Sequence, residues 1–587
     1  MKKIVLIVNA ASLIMSLQGG ETKNLSPAAE KSYLSSFYDQ VTSSFTQFNS
    51  VYSSLTQQLE DTASYFLGSA GSKLRVQPQS PLKVEEGKNI SLAEKKFLSA
   101  WERNNARKKS LEEILSIKKL DRPLKIGLSV TGGGFRAMIL TGGYMAALEE
   151  WGVLAWISHI AALSGSTWFL IPWMMSQLSV HRYQTKIAQK IQDGTLSISS
   201  SILQRADMDL VSFWQKVIWP KIAVGQPVGW VDWYGGLLSY LLFHEKGTVV
   251  QGSQWYDHHF SDLASIVEKG LGPLPLCASI SMHKDTAGNA RYNWYEFTPF
   301  DVRNLTLGLS VPMSAFGSNF NKGLQTSMAP EQSLGFFLGM FGSALAINFA
   351  DATRIFFDEA EKKEEASYLE AMQSHAVRTL LAELKKIYPK FFYNRYMAAQ
   401  VPNPFFGMST PLSNWLTGRK LLTFLDAGPD ANIPILSLMQ RERELDVIIV
   451  ADSSSDADTG QEAKKMINTL IQEGFDYKRV DTGSSNSLHF YKTSDSRDPR
   501  IIYLNFFIEN QQQKIDNDKE LSIFAKQHKL DTFNISACIN SGACNTFNFN
   551  YTPEEFEQLS SLGSLAIMVY KDAIAKFIAQ EFGKAEE

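Results

Sequence analysis

Ser164 stands between an apolar run at residues 157–163 and an apolar stretch that begins at Thr167, with Ala162, Gly165 and Ser166 as small neighbours. A serine between a strand end and a helix start has the setting of a nucleophile elbow, where small neighbours permit the tight turn. The plainer reading is an N-cap serine opening an ordinary helix. Upstream, Gly132, Gly133 and Gly134 separate a short apolar run at 126–130 from residues 135–148, whose apolar spacing and helix formers predict a helix. A glycine turn between strand and helix leaves backbone N–H groups free at a helix N-terminus, a place that holds negative charge. A nucleophile and oxyanion donors together make half of an acyl-transfer site. A carboxylate completes the set of reactive groups: Asp426 ends the apolar run 421–425 and enters Ala427-Gly428-Pro429. Strand ends beside turns are where α/β sheets place reactive groups, although capping the turn is the simpler role for any one Asp-x-Gly.

The paired motifs TGGGFRAM and LSGSTW resemble the catalytic domain shared by cytosolic phospholipase A2 and fungal phospholipase B. LTFLDAGPDANIPILSLMQRERELDVIIVADSS extends the resemblance, as do GWVDWYGGLLSYLLF, WYEFTPFDV, AFGSNFNKG, the helix around 336–349 and PNPF at 402–405. The resemblance implies a patatin-like, three-layer α/β/α fold with helical cap and lid insertions. It assigns Ser164 as acyl acceptor, Gly133 and Gly134 as oxyanion hole, Arg136 as the substrate phosphate-binding residue and Asp426 as base. Two departures are small exchanges: Ala162 where the family has Gly, and Ala427 where it has Gly or Ser. The implied substrate is a phospholipid or lysophospholipid met at a membrane or micelle surface, with no metal and no cofactor.

The elements that position these groups read as alternating apolar strands and helices over most of 587 residues, which implies a layered α/β body. A net charge of −3 excludes the basic excess of a general nucleic-acid binder. Residues 1–20 open with Lys2 and Lys3 ahead of an apolar run and fit a secretory signal, which would make the protein secreted or periplasmic; a buried N-terminal strand or helix, in a cytoplasmic protein that associates with membrane surfaces, is the competing reading. At 21–89 an amphipathic helix (residues 32–66) and a linker occupy the place where the cytosolic enzymes carry a calcium-dependent lipid-binding module; alternating strands and acidic loops are missing, so calcium recruitment is not expected.

Residues 91–117 read as one charged helix opening a catalytic domain that runs from 90 to 587. Within it, 177–273 reads as a cap insertion, its tryptophans 214, 219, 230, 233 and 255 serving either as satellite core or as a lipid-facing surface. The charge-rich stretch 358–390 reads as a lid or as a solvated helix face. Residues 294–302 read as one strand-like run, and 546–559 resemble the family's last strand and helix. Cys538 and Cys544 are close enough for a loop disulfide in an oxidising compartment, against two free thiols; Cys277 reads as core. The rival chemistries are an ordinary esterase triad in the order Ser164, Asp426, His489, and a catalytically inactive lipid-binding protein.

Overall fold

In a computed structural model of the protein, the described residues run from 80 to 583, apart from 88, 106–109, 118, 121, 197–212, 245–255, 285–289, 345–397, 410–413, 482–484, 547 and 549. The readings of 1–20 as a signal, 32–66 as an amphipathic helix and 358–390 as a lid therefore lie outside the described residues, as do Trp255 and the side chains of Trp214, Trp219, Trp230 and Trp233.

The chain enters through β1 (Glu85–Glu86), α1 (Leu92–Asn105) and α2 (Leu111–Leu115), then builds β2 (Ile126–Val130), α3 (Gly134–Trp151), β3 (Ile157–Ala162) and α4 (Gly165–Ser176). Helices α5 (Val180–Gln192) and α6 (Trp230–Phe243) precede the strands β4 (Leu274–Lys284), β5 (Ala290–Phe297), β6 (Asp301–Asn304) and β7 (Leu309–Pro312). A separate hairpin, β8 (Asn319–Asn321) with β9 (Leu324–Ser327), leads to α7 (Leu334–Phe341). Then follow β10 (Ala399–Pro402), β11 (Leu421–Leu425), β12 (Val447–Asp452), α8 (Gln461–Gln472), β13 (Lys478–Arg479), β14 (Leu488–Lys492), β15 (Arg500–Asn505) and α9 (Pro553–Phe582).

Thirteen strands form one mixed sheet in the order β1-β7-β6-β5-β4-β3-β2-β12-β15-β14-β13, with β10 and β11 attached beside β4. Its centre, β4-β3-β2-β12-β15, is parallel. Every residue of β2, β3 and β12 is buried, which explains their near-continuous apolar runs: a parallel strand covered by helices on both faces has no solvent side to mark with polar residues. The result is a patatin-like α/β/α fold. Among the described residues no helix is long and apolar enough to cross a membrane.

Three local readings need correction. The stretch 91–117 is two helices, because Ser110 caps a second one through its hydroxyl and the Glu113 amide. The run 294–302 folds back on itself: Thr298 takes the Phe300 and Asp301 amides on its hydroxyl and separates β5 from β6, which pair antiparallel. No strand forms among the described residues of 546–552; a capping box of Thr552 and Glu555 starts α9 directly. Cys538 and Cys544 are bonded, and Cys277 is buried and free in β4.

The helix that opens the domain is fixed to the sheet by charge. Arg443 grips Glu94 of α1 at 2.6 and 3.1 Å and Glu296 of β5 at 2.8 and 2.6 Å, and Glu94 also meets His159 of β3 at 3.2 Å. All four side chains are fully buried. Burial alone would raise the Glu94 carboxyl, but Arg443 and His159 hold it well below the usual carboxylate range. Replacing Arg443 by Met leaves two buried carboxylates without a cation and is expected to cost about 3–5 kcal/mol, read as a lowered denaturation midpoint in urea.

Candidate active site

β4 brings the two halves of the site together. Ala162, the last residue of β3, lies opposite Cys277, and Leu425, the last residue of β11, lies opposite Ile280. β3 runs parallel to β4 and β11 antiparallel, so the two strands point at each other along one side of β4 and stop with only Ala278 and Ser279 between their partners. The chain leaves β3 towards Ser164 and leaves β11 directly into Asp426. Ser279 Oγ donates to the Leu425 carbonyl at 2.6 Å and holds the end of β11 in place.

Ser164 has φ 53° and ψ −128°, a conformation that costs a non-glycine residue about 1–3 kcal/mol and that the surroundings must impose. They do so with hydroxyls: Ser166 Oγ accepts the Leu163 N–H at 2.9 Å, and Thr167 Oγ1 donates to the Ser164 carbonyl at 2.6 Å. The glycine turn lies directly against this elbow. A Cβ on Gly165 would sit 1.8 Å from the Gly134 carbonyl oxygen, and one on Gly132 would sit 2.8 Å from Ser164 Cβ. Gly133 (φ 138°) and Gly134 (φ 63°) adopt backbone conformations that L side chains avoid. Among the described residues neither amide donates to a protein acceptor, and α3 begins at Gly134, so both N–H groups stand free at a helix N-terminus.

Asp426 is 1% exposed and Ser164 7%. The Gly428 amide donates to Asp426 Oδ1 at 2.9 Å, while Oδ2 is buried with no hydrogen bond of acceptable geometry. Burial pushes the carboxyl up to about 6, against the opposing pull of the Gly428 amide, the Ser164 hydroxyl and the Ala344 amide. The Ser164 hydroxyl thus lies near the carboxylate, although among the described residues Oδ2 accepts no hydrogen bond. Apo geometries of this kind tighten when substrate binds.

Arg136 is buried beneath the glycine turn. Nε donates to the Ser453 carbonyl at 3.0 Å, and Nη1 donates to the Cys544 carbonyl at 2.8 Å and to Thr546 Oγ1 at 3.3 Å. A Cβ on Gly133 would lie 2.6 Å from Nη2, whose N–H groups meet no acceptor among the described residues. Burial lowers the guanidinium pKa, with Tyr551 and Asp452 acting in the other direction. The cation is held by main-chain oxygens and one hydroxyl, so its charge is not cancelled by a paired carboxylate.

His489 is elsewhere. It sits on β14, four strand positions from β3 and therefore roughly 19 Å away across the sheet. Its ring nitrogens are engaged by Tyr491 OH at 2.8 Å and the Ser485 carbonyl at 2.9 Å. The triad order of the sequence is not a triad in space.

Two contributors went unread in the sequence. Ser343 follows α7 and accepts the Asp426 amide on its Oγ at 3.1 Å; α7 is in turn tied to α4, the helix that follows Ser164, because Trp168 donates to the Leu338 carbonyl at 3.1 Å. Asn432 binds the main chain of Gly132. The GSA and NIP strings were visible, but what they hold is set by contacts across the fold.

A family model described as the lysophospholipase catalytic domain matches residues 126–497. Human cytosolic phospholipase A2 zeta is 24% identical over 92% of this chain and 67% of its own length. Among solved structures, human GIVD cytosolic phospholipase A2 superposes with a TM-score of 0.66 at 20% identity, over 86% of this chain and 69% of that one. The same human protein in complex with methyl gamma-linolenyl fluorophosphonate and terbium chloride gives 0.59 at 22% identity, over 86% of this chain and 66% of that one. The chain spans about two thirds of the length of these relatives.

The Asp426 shift has a consequence for stability. A carboxyl whose folded pKa is about 6 against about 3.9 unfolded favours the folded state while protonated, and that contribution is lost as pH rises through 6. At pH 7 the ionised, buried group therefore costs about 3 kcal/mol. Asp426→Asn should be more stable than the native chain by about that amount at pH 7, with the difference closing below pH 4, as read from urea denaturation at both pH values.

Proposed function

Because the chain belongs to the lysophospholipase catalytic-domain family, we propose that it is a serine acyl hydrolase that releases fatty acids from glycerophospholipids or lysophospholipids. The observation that carries this reading is that the fold brings a strained serine elbow and a turn with two free amides against each other, and a buried carboxylate to the strand end facing them. The serine and the carboxylate supply a nucleophile and its base; the amides supply an oxyanion hole.

Asp426 takes the Ser164 proton on Oδ2 as Oγ attacks the acyl carbonyl. The oxyanion of the tetrahedral intermediate is held by the Gly133 and Gly134 amides. Collapse breaks the ester bond, and the proton on Asp426 passes to the departing alkoxide, which leaves as lysophospholipid or glycerophosphodiester. Asp426, again a carboxylate, then draws a proton from water, whose oxygen attacks the acyl-serine; the second collapse returns that proton to Ser164 and frees the fatty acid. A carboxylate is a weak base in water, and burial is what makes Asp426 adequate, with a pKa of about 6. Arg136 adds fixed positive charge beneath the turn, and its Nη2 is the group open to a substrate phosphate or to the oxyanion.

Fatty-acid release from vesicles of phosphatidylcholine and from lysophosphatidylcholine micelles tests the reading. Ser164→Ala and Asp426→Ala should each lower the rate about a thousandfold or more, since nucleophile and base act as a unit. His489→Gln should retain the rate within about threefold. Equal release by the native chain and Ser164→Ala would sink the proposal.

A further inference from the structure

We infer that Asn432 is a positioning residue for the oxyanion hole, an inference that rests on the acyl-hydrolase reading. Its side-chain amide spans the main chain of Gly132: Oδ1 accepts the Gly132 N–H at 3.1 Å, and Nδ2 donates to the Gly132 carbonyl at 3.2 Å. This pairing fixes the amide's orientation, because the reversed side chain would set donor against donor and oxygen against oxygen. Nδ2 also donates to Ser454 Oγ at 2.6 Å. Ser454 Oγ lies 2.5 Å from Asp452 Oδ1, which also takes the Thr131 hydroxyl at 3.1 Å, while Asp452 Oδ2 takes the Tyr503 hydroxyl at 2.7 Å. Thr131 and Gly132 are the two residues between β2 and the amides that would bind the oxyanion. Both are therefore tied to one buried anchor at the end of β12, Thr131 directly and Gly132 through Asn432.

The need for such a clamp follows from the turn itself. Gly132, Gly133 and Gly134 have no side chains with which to fix their own conformation, and glycine carries the largest backbone entropy. Gly134 packs against the Thr546 carbonyl, from which a Cβ would lie at 2.0 Å, and Gly132 is held by Asn432. Asn432 lies on the same loop as Asp426, closed by the Ala431 N–H to Ala427 carbonyl bond at 3.1 Å. One short loop thus carries the base and sets the donors that face the nucleophile. Asn432 touches no reacting atom; it acts through Gly132.

Hydrogen exchange over residues 131–137 and kinetics on the full chain test this together. In Asn432→Ala, exchange over the turn should accelerate about tenfold or more relative to both the native chain and Ser164→Ala. The rate constant kcat on lysophosphatidylcholine should fall about 10- to 100-fold with KM within about threefold, the split expected when an interaction is used only in the transition state. A trifluoromethyl ketone analogue, whose adduct places an oxyanion in the hole, should lose affinity in parallel, while a non-hydrolysable ether lipid binds as before. A change confined to global stability would not produce that split. Native exchange in Asn432→Ala overturns the inference, as does faster exchange with unchanged kcat and analogue affinity. A native chain that hydrolyses no acyl ester overturns the acyl-hydrolase reading, and with it the role of Asn432 in an oxyanion hole, whereas the other two outcomes leave that reading intact.

Discussion

Two strand ends meet on a third strand, and the rest of the site depends on that meeting. β4 is long enough to pair with β3 over its first residues and with β11 further on, and these partners run in opposite directions. Their C-terminal ends converge on Ala278 and Ser279, which delivers a hydroxyl and a carboxylate to one place without a loop having to carry either across open space. In a purely parallel α/β sheet all strand ends lie along one edge, and groups from neighbouring strands arrive side by side. Here they arrive head-on. The antiparallel attachment of β11 is what brings the two strand ends towards each other, and His489 is not between them.

On the proposed reading no third residue stands between serine and aspartate, so the burden of activation falls on the surroundings. A solvated aspartate has little affinity for a serine proton, so the carboxyl must be raised by burial and still be kept from drifting. The Gly428 amide and Ser343 restrain it, while among the described residues Oδ2 has no partner. The same neighbourhood contains a strained Ser164, two unpaired amides and the buried Arg136 cation, each unfavourable taken alone. The large apolar core and the Glu94–Arg443–Glu296 cluster offset these terms by making the sheet rigid around them.

Legibility in the sequence followed the range of the interaction. Ser164 at a strand-to-helix turn and the glycines ahead of α3 were readable because glycine and serine there answer a local backbone demand. The strands Ile126–Val130 and Leu421–Leu425 were readable because they are short apolar runs with clear ends. Asp426 could be singled out, but its direction of approach could not, since strand polarity within a sheet leaves no mark on a five-residue apolar run. Asn432 and Ser343 were passed over for the same reason: an asparagine before Ile-Pro and a serine after Gly carry no sign of the distant main chain they bind. The break between α1 and α2 and the fold-back at Thr298 were missed because one hydroxyl decided each.

The glycine turn shows why such contacts escape a linear reading and how the fold completes its site. Gly132 is bound by a residue 300 positions away, Arg136 by one 317 positions away and by another 408 positions away. Each contact closes a long loop, and its entropy must be met before the contact stabilises anything. The turn can therefore take its final form only when β12, the loop after β11 and the bonded Cys538–Cys544 segment have all docked. The Cys544 carbonyl at the end of that segment accepts from Arg136, and the Thr546 carbonyl just beyond it packs against Gly134. Three glycines supply amides that can approach a substrate closely, and the same lack of side chains obliges the most distant parts of the chain to hold them still.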